Sequence, residues 1–283
     1  MADAHLQDLK AWIGRSETVV DVATPTPVAA LAATLDRDPV RPAVGTPLPA
    51  LWHWLYFLPL HRQSEIGSDG HAKRGGFLPP VALPRRMWAG GRIEFLRPLR
   101  IGDTVRRDSE ILKVDAKQGR SGNLVFVTVR HTVCTRGEPA VREEHDIAYR
   151  DASKPGESTP PGKPAPTGAK WQRSLVGDPV MLFRYSALIF NAHRIHYDLD
   201  YVREEEHYPG LIVHGPLQTT LLLDLCRRHE SRPVKKLDYR ALHPVFHTER
   251  FTVNGNPSAD GNSAELWTAN GAGVCAMAAT ASF

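Results

Sequence analysis

The sequence predicts an α+β fold made of two similar units, each an antiparallel sheet wrapped around a central helix. Three observations predict it. The stretch DASKPGESTPPGKPAPTGAK (151–170) is too rich in Pro, Gly, Ser and Thr to sustain a helix or a strand ladder, so it divides the chain into halves at 1–150 and 171–283. In each half an apolar helical pattern is followed by segments rich in β-branched, aromatic or alternating residues, bounded by turn signals. With 283 residues, 42% hydrophobic and 23% charged, the chain carries enough apolar surface for such cores.

In the first half, 27–35 reads as a short Ala-rich helix, with Thr24 or Thr26 as capping residues and Pro27 acceptable in its opening turn. The aromatic run LWHWLYFL (51–58) is too bulky to leave in water and belongs to the core, an interface or the wall of a pocket. Strands are predicted at 92–95, 104–114, 123–134 and 140–149, with turns at 101–103 and 119–122. In the second half, 180–184 reads as a strand and 185–201 as mixed. The strongly apolar segment 216–229 is a helix with Arg227 and Arg228 at its negative end, followed by strands at 235–242, 249–253, 264–268 and 274–281. Such sheets have edges; pairing of the halves would cover some of them and leave room for a homodimer.

Several function classes are excluded. A net charge of +4 without a Lys/Arg block does not suit nucleic acid. Cys134, Cys226 and Cys275 are far apart and form no CxxC pair, which argues against a disulfide framework or thiolate zinc site and for a reducing compartment. Residues 1–15 lack an apolar signal core, and the most apolar run, 51–60, is too short to span a bilayer, so a cytoplasmic protein without a membrane partner is expected. There is no GxSxG nucleophile elbow, and GRSG at 119–122 suits a hairpin rather than a phosphate loop, so no cofactor is expected.

Two segments carry candidate chemistry. In NAHRIHYD (191–198), a helix would put Asn191, Arg194 and Asp198 on one face and His193 and His196 on another. A bend would instead let the Asn191 amide and the His196 imidazole converge on one water, while a plain surface histidine pair stays open. In YPGLIVHGP (208–216), Gly215 at the head of the apolar helix offers a backbone N–H and the positive end of the helix dipole to a developing oxyanion; it equally suits a tight turn before Pro216. His193, His196 and Asp198 with His207 or His214 could gather a metal, but no firm ligand spacing appears and none is expected.

The second half resembles the MaoC-like hydratase/dehydratase family, whose motif is an acid, four residues and a His, a spacing that Asn191 and His196 keep, with His214, Gly215 and Pro216 opening the next helix. The first half resembles the N-terminal hotdog of its two-hotdog members through LWHWLYFLP (51–59), RGGFLPPVALPRRMWAGGRIEF (74–95) and RPLRIGD (97–103). FNAHRIHYD (190–198) is similar to the branch of mitochondrial-type hydroxyacyl-thioester dehydratases and mesaconyl-CoA/itaconyl-CoA hydratases. The resemblance implies an α+β double hotdog and a hydro-lyase acting on an acyl-CoA thioester held between the hotdogs. Asn191 and His196 would hold a water, and Gly215 would polarise the thioester carbonyl. Arg85, Arg86, Arg194 and His214 are the implied substrate-binding residues, the arginines for CoA phosphates or a free acyl carboxylate. Asn191 departs from the commoner Asp; an amide can orient water but cannot take its proton, which leaves that task to His196. The expected substrate is a short branched dicarboxylyl-CoA, itaconyl-CoA or mesaconyl-C4-CoA, hydrated to citramalyl-CoA. A 3-hydroxyacyl-thioester dehydratase of fatty-acid metabolism and a non-catalytic acyl-CoA-binding protein remain the alternatives.

Overall fold

In each half a short strand leads into a Pro-opened helix. In the computed structural model, which describes residues 8–119, 122–152 and 161–283, strand β1 (Ser16–Val22) leads into helix α1 (Pro25–Thr34). Strand β6 (Trp171–Val176) likewise leads into α2 (Pro179–Leu188). Part of the predicted hairpin turn (120–121) and part of the predicted linker (153–160) lie outside the described residues. The expected strand at 180–184 is helical instead. Asp178 caps it, its carboxylate accepting from the Val180 and Met181 amides, and Pro179 fixes the first turn, so a good start outweighs a β-branched and aromatic run. The edge strands β1 and β6 were not foreseen, although SETVVDV alternates in exposure as a strand should.

The remaining strands of the first half are β2 (Arg85–Phe95), β3 (Thr104–Gly119), β4 (Gly122–Thr135) and β5 (Glu138–Arg150). Those of the second are β7 (Lys236–Ala241), β8 (Arg250–Pro257), β9 (Ser263–Ala269) and β10 (Cys275–Ser282). All ten form one sheet in the order β1-β3-β4-β5-β2-β7-β10-β9-β8-β6. The second half of that order mirrors the first, and the halves meet where β2 pairs antiparallel with β7 from Gly90↔Arg240 to Glu94↔Lys236.

After the short helix α3 (Leu199–Glu204), helix α4 (Gly215–His229) is enclosed by the second half of the sheet, and every residue from Leu217 to Cys226 is buried. A helix apolar on all sides belongs inside a core, and its polar members are paired there. Thr219 and Thr220 bond back to the carbonyls of Gly215 and Pro216, and Gln218 accepts from Thr268. Buried Asp224 is ringed by Arg37, Arg173, Arg227 and Arg228 at 2.6–3.1 Å.

This is the double hotdog that the sequence predicts, with one difference: among the described residues, the long central helix stands only in the second half. The predicted helix at 27–35 corresponds in order to α2, against which α1 packs, and not to α4. Where α4 would have its counterpart stands a four-residue 3-10 turn, Trp52–Leu55, buried through Trp52, His53 and Leu55. Prolines at 47, 49 and 59 bracket this segment and stop it from extending into a helix. One core cluster draws on both halves, from Leu31, Trp52 and Ile93 to Leu182, Leu221 and Met277.

Candidate active site

Helix α2 ends at Leu188, and Phe190 turns the chain with a left-handed φ of 50°. The Asn191 amide N–H then returns to the Ser186 carbonyl at 2.8 Å, the Asn191 Oδ1 accepts from the His193 amide at 3.0 Å, and a 3-10 turn follows at Arg194–His196. The segment therefore bends, and the single-helix reading of 191–198 does not hold. Arg194 and Asp198 still meet, at 2.8 Å, because the turn brings residues four apart together.

The bend carries His196 inward until it is 7% exposed. Its Nδ1 lies 2.7 Å from the Ile212 carbonyl, which can only accept, so Nδ1 carries the proton and Nε2 keeps its lone pair. Burial, reinforced by nearby His71, lowers the His196 pKa to about 4, which keeps the ring neutral at pH 7. His214 stacks on it at 3.6 Å with an interplanar angle of 19°, fully buried, and shares a 2.8 Å hydrogen bond between its Nε2 and the Ser186 hydroxyl. The next residue is Gly215, first of α4, where the helix leaves its opening amides unpaired. Trp88 of β2 packs on that glycine; a Cβ there would lie 2.7 Å from the Trp88 Cε3. His196 and the positive end of α4 are thus joined through His214 beside the seam between the halves. His214, expected as a substrate contact, sits behind the His196 ring as its packing partner.

A loop from the first half completes the group. Asp69 and His71 were not singled out in the sequence; the only local signal is a Gly between an acid and a His. Gly70 has φ +90° and lies so close to the Ala192 carbonyl that a Cβ would overlap it. Arg194 locks the contact, its amide donating to Asp69 O at 2.9 Å and its Nη1 to Ser68 O at 3.0 Å. The His71 ring then lies 4.0 Å from that of His193, which is 5.5 Å from that of His196. Burial and the charge of Arg86 lower the His71 pKa to about 4. Asp69, although burial opposes it, is brought down to about 2 by its hydrogen bond with His71. Burial, then His71, also holds His193 well below its ordinary value.

The three expected arginines converge on one cleft of about 810 Å³, lined also by Arg74, Asp69 and His71. Arg85 is buried, paired with Glu206 at 2.6 Å and set over the Tyr208 ring. Arg194 is held by Asp198 and lies over Tyr201. Arg86 faces Tyr149, Asp69 and His71, whose titration its charge biases. Asp69, His71 and His193 bring potential metal-ligating atoms within 4.8 Å of one another. Arg86 bears on all three and Asp69 is already bonded to His71, so the group reads as a hydrogen-bonded cluster rather than a cation site. Among the described residues, no helix is long and apolar enough to cross a membrane.

Comparison with known proteins places the chain in a family. The chain is 47% identical over 253 residues to the mesaconyl-C(4)-CoA hydratase of Chloroflexus aurantiacus, covering 89% of this chain and 90% of that one. It is 30% identical over 260 residues to the mitochondrial hydroxyacyl-thioester dehydratase type 2 of Schizosaccharomyces pombe, covering 80% and 85%. In fold it resembles the crystal structure of a MaoC-like dehydratase from Phytophthora capsici, with a TM-score of 0.67 at 10% identity over 98% and 97% of the two chains. Residues 51–247 match the model of the hydroxyacyl-thioester dehydratase type 2 family, a span that begins at the aromatic turn and includes the loop of Asp69, the bend of His196 and helix α4, and the chain belongs to that family.

Proposed function

We propose that this hydro-lyase adds water across the C=C bond of a short branched dicarboxylyl-CoA, itaconyl-CoA or mesaconyl-C4-CoA, to give citramalyl-CoA. The observation that carries the reading is the neutral His196, with Nδ1 fixed on Ile212 and Nε2 available, next to the amide-bearing head of α4. The Chloroflexus relative named as a mesaconyl-C(4)-CoA hydratase supports this substrate class.

The CoA portion lies in the cleft, where Arg74, Arg86 and Arg194 meet its phosphates. The acyl carbonyl accepts from the Gly215 N–H, and the Asn191 amide orients a water that His196 Nε2 deprotonates as its oxygen bonds to the β carbon. The double-bond electrons pass through the α carbon onto the thioester oxygen. His196 then returns the proton to the α carbon. An oxyanion donor contributes about 3 kcal/mol to the barrier, and a general base about a hundredfold or more in rate. The three cysteines are free and buried, which suits a reducing compartment, and we propose the cytoplasm.

The test is incubation with itaconyl-CoA, mesaconyl-C4-CoA and crotonyl-CoA, read by mass spectrometry. One water gained on a C5 dicarboxylyl thioester supports the reading. Hydration of crotonyl-CoA alone points to the fatty-acyl dehydratase, and no adduct on any of them points to a binding protein.

A further inference from the structure

A base that works while buried has a charge problem. When His196 takes a proton, an imidazolium appears in a place that burial keeps neutral. The groups around it are themselves neutral at pH 7: His193 from its own turn, His214 from the head of α4, the Ile212 carbonyl, and His71 from the first half. Asn191 is an uncharged amide, with its oxygen already accepting from the His193 N–H. Among the described residues, the carboxylate hydrogen-bonded into this histidine group is Asp69, through His71. The charged groups facing that pair are Arg74 and Arg86, both cations; Asp200, Glu204, Glu205 and Glu206 line the same cleft, but Asp69 is the carboxylate that is hydrogen-bonded to His71 and so carries negative charge into the histidine group.

We infer that Asp69 and His71 are positioning residues for hydration: the Asp69 carboxylate fixes His71 through Nδ1, His71 backs His193, and the negative charge of Asp69 offsets the positive charge that passes over His196 during turnover. The inference rests on reading His196 as the base. The Asp69 carboxylate is held at both oxygens, Oδ1 accepting from the His71 amide at 2.9 Å and Oδ2 meeting Nδ1 at 3.1 Å, so His71 is fixed in one tautomer. Gly70 and Arg194 clamp the loop onto the turn that carries His193 and His196. The pair lines the open cleft, whereas His193 and His196 are only 8% and 7% exposed, so it stands between the CoA-binding space and the buried base. Charge and atoms balance without another reactant. A water O–H breaks, its proton rests on His196 Nε2 while the oxygen bonds to the β carbon, and the same proton ends on the α carbon. Asp69 and His71 neither gain nor lose one.

The test compares Asp69→Asn with the native protein on whichever enoyl-CoA the native protein hydrates, with His196→Ala as the control. Expected are a fall in kcat of about tenfold or more with KM within about threefold, the pattern of an interaction made mainly in the transition state, and little change in Tm. If Asp69→Asn does not fold, His71→Gln carries the same test. A kcat within about twofold of native in a folded variant, or a rise in KM with kcat unchanged, overturns the inference while leaving His196 as the base. A native protein without hydratase activity, or an active His196→Ala, overturns both readings.

Discussion

At His196 one hydrogen bond decides what the ring can do. The Ile212 carbonyl accepts from the Nδ1–H, and burial keeps the ring neutral, so Nε2 keeps its lone pair at pH 7. The same burial has a cost at low pH. His71, His193, His196 and His214 all have folded pKa values below the unfolded value near 6.5, so the unfolded chain binds more protons as pH falls. Stability from these groups is therefore full above about pH 6.5 and is lost as pH falls below it, down to about pH 4 for His71 and His196, by on the order of 3 kcal/mol for His196 alone. Urea unfolding at pH 7 and pH 5 should show a marked fall in midpoint; an unchanged midpoint would mean that the histidines are not held neutral. Ser186→Ala should cost about 1–3 kcal/mol, because His214 Nδ1 is already buried without a partner among the described residues and Nε2 would then lose its own. Denaturant midpoints would measure this. The candidates Asn191 and His196 are legible as a spacing, and the bend between them is one of the two geometries the sequence allows; in the bend the Asn191 side chain accepts from the His193 amide while His196 donates to Ile212. Asp69 and His71 were not legible, since only the fold brings positions 69–71 to 191–196.

The central helix α4 works through its first residue. Gly215 leaves room for Trp88, so the ring of one half closes over the positive end of the other half's helix. Gly215→Ala should cost about 1–3 kcal/mol by overpacking and lower kcat by displacing that contact. In a Trp88→Ala background the same change should cost much less, a non-additivity that a double-mutant cycle on Tm and kcat would show. Equal costs in both backgrounds would mean that the contact is not what requires glycine. The apolar run of α4 was readable because such a helix must be buried. At 180–184 the strand reading failed because Asp178 and Pro179, just upstream, govern the segment. Likewise 27–35 is a helix as expected, but which helix of the repeat it represents depends on tertiary order.

At the scale of the whole molecule, the strand order of the second half mirrors that of the first, yet the halves are not independent. β2 and β7 join them into one sheet, α1 packs on α2, and one core cluster runs through both. Unfolding should therefore be a single transition, with tryptophan fluorescence and far-ultraviolet circular dichroism coincident in urea. Two separated transitions would mean that the seam couples the halves weakly. The seam could not be read from the sequence, since β2 was recognised only over its last four residues and nothing in their pattern names β7 as a neighbour. The seam sets Trp88 of one half against Gly215 of the other, and the Asp69–His71 loop of the first half packs on the turn that carries His193 and His196.

The most direct test is single-turnover hydration of itaconyl-CoA and mesaconyl-C4-CoA by the native protein and by His196→Ala. The expected result is a water adduct formed by the native protein, with the variant slower by about a hundredfold or more. A variant that hydrates as fast as the native protein, or a native protein that leaves both thioesters unchanged, would contradict the assignment of His196 as the base of a dicarboxylyl-CoA hydratase.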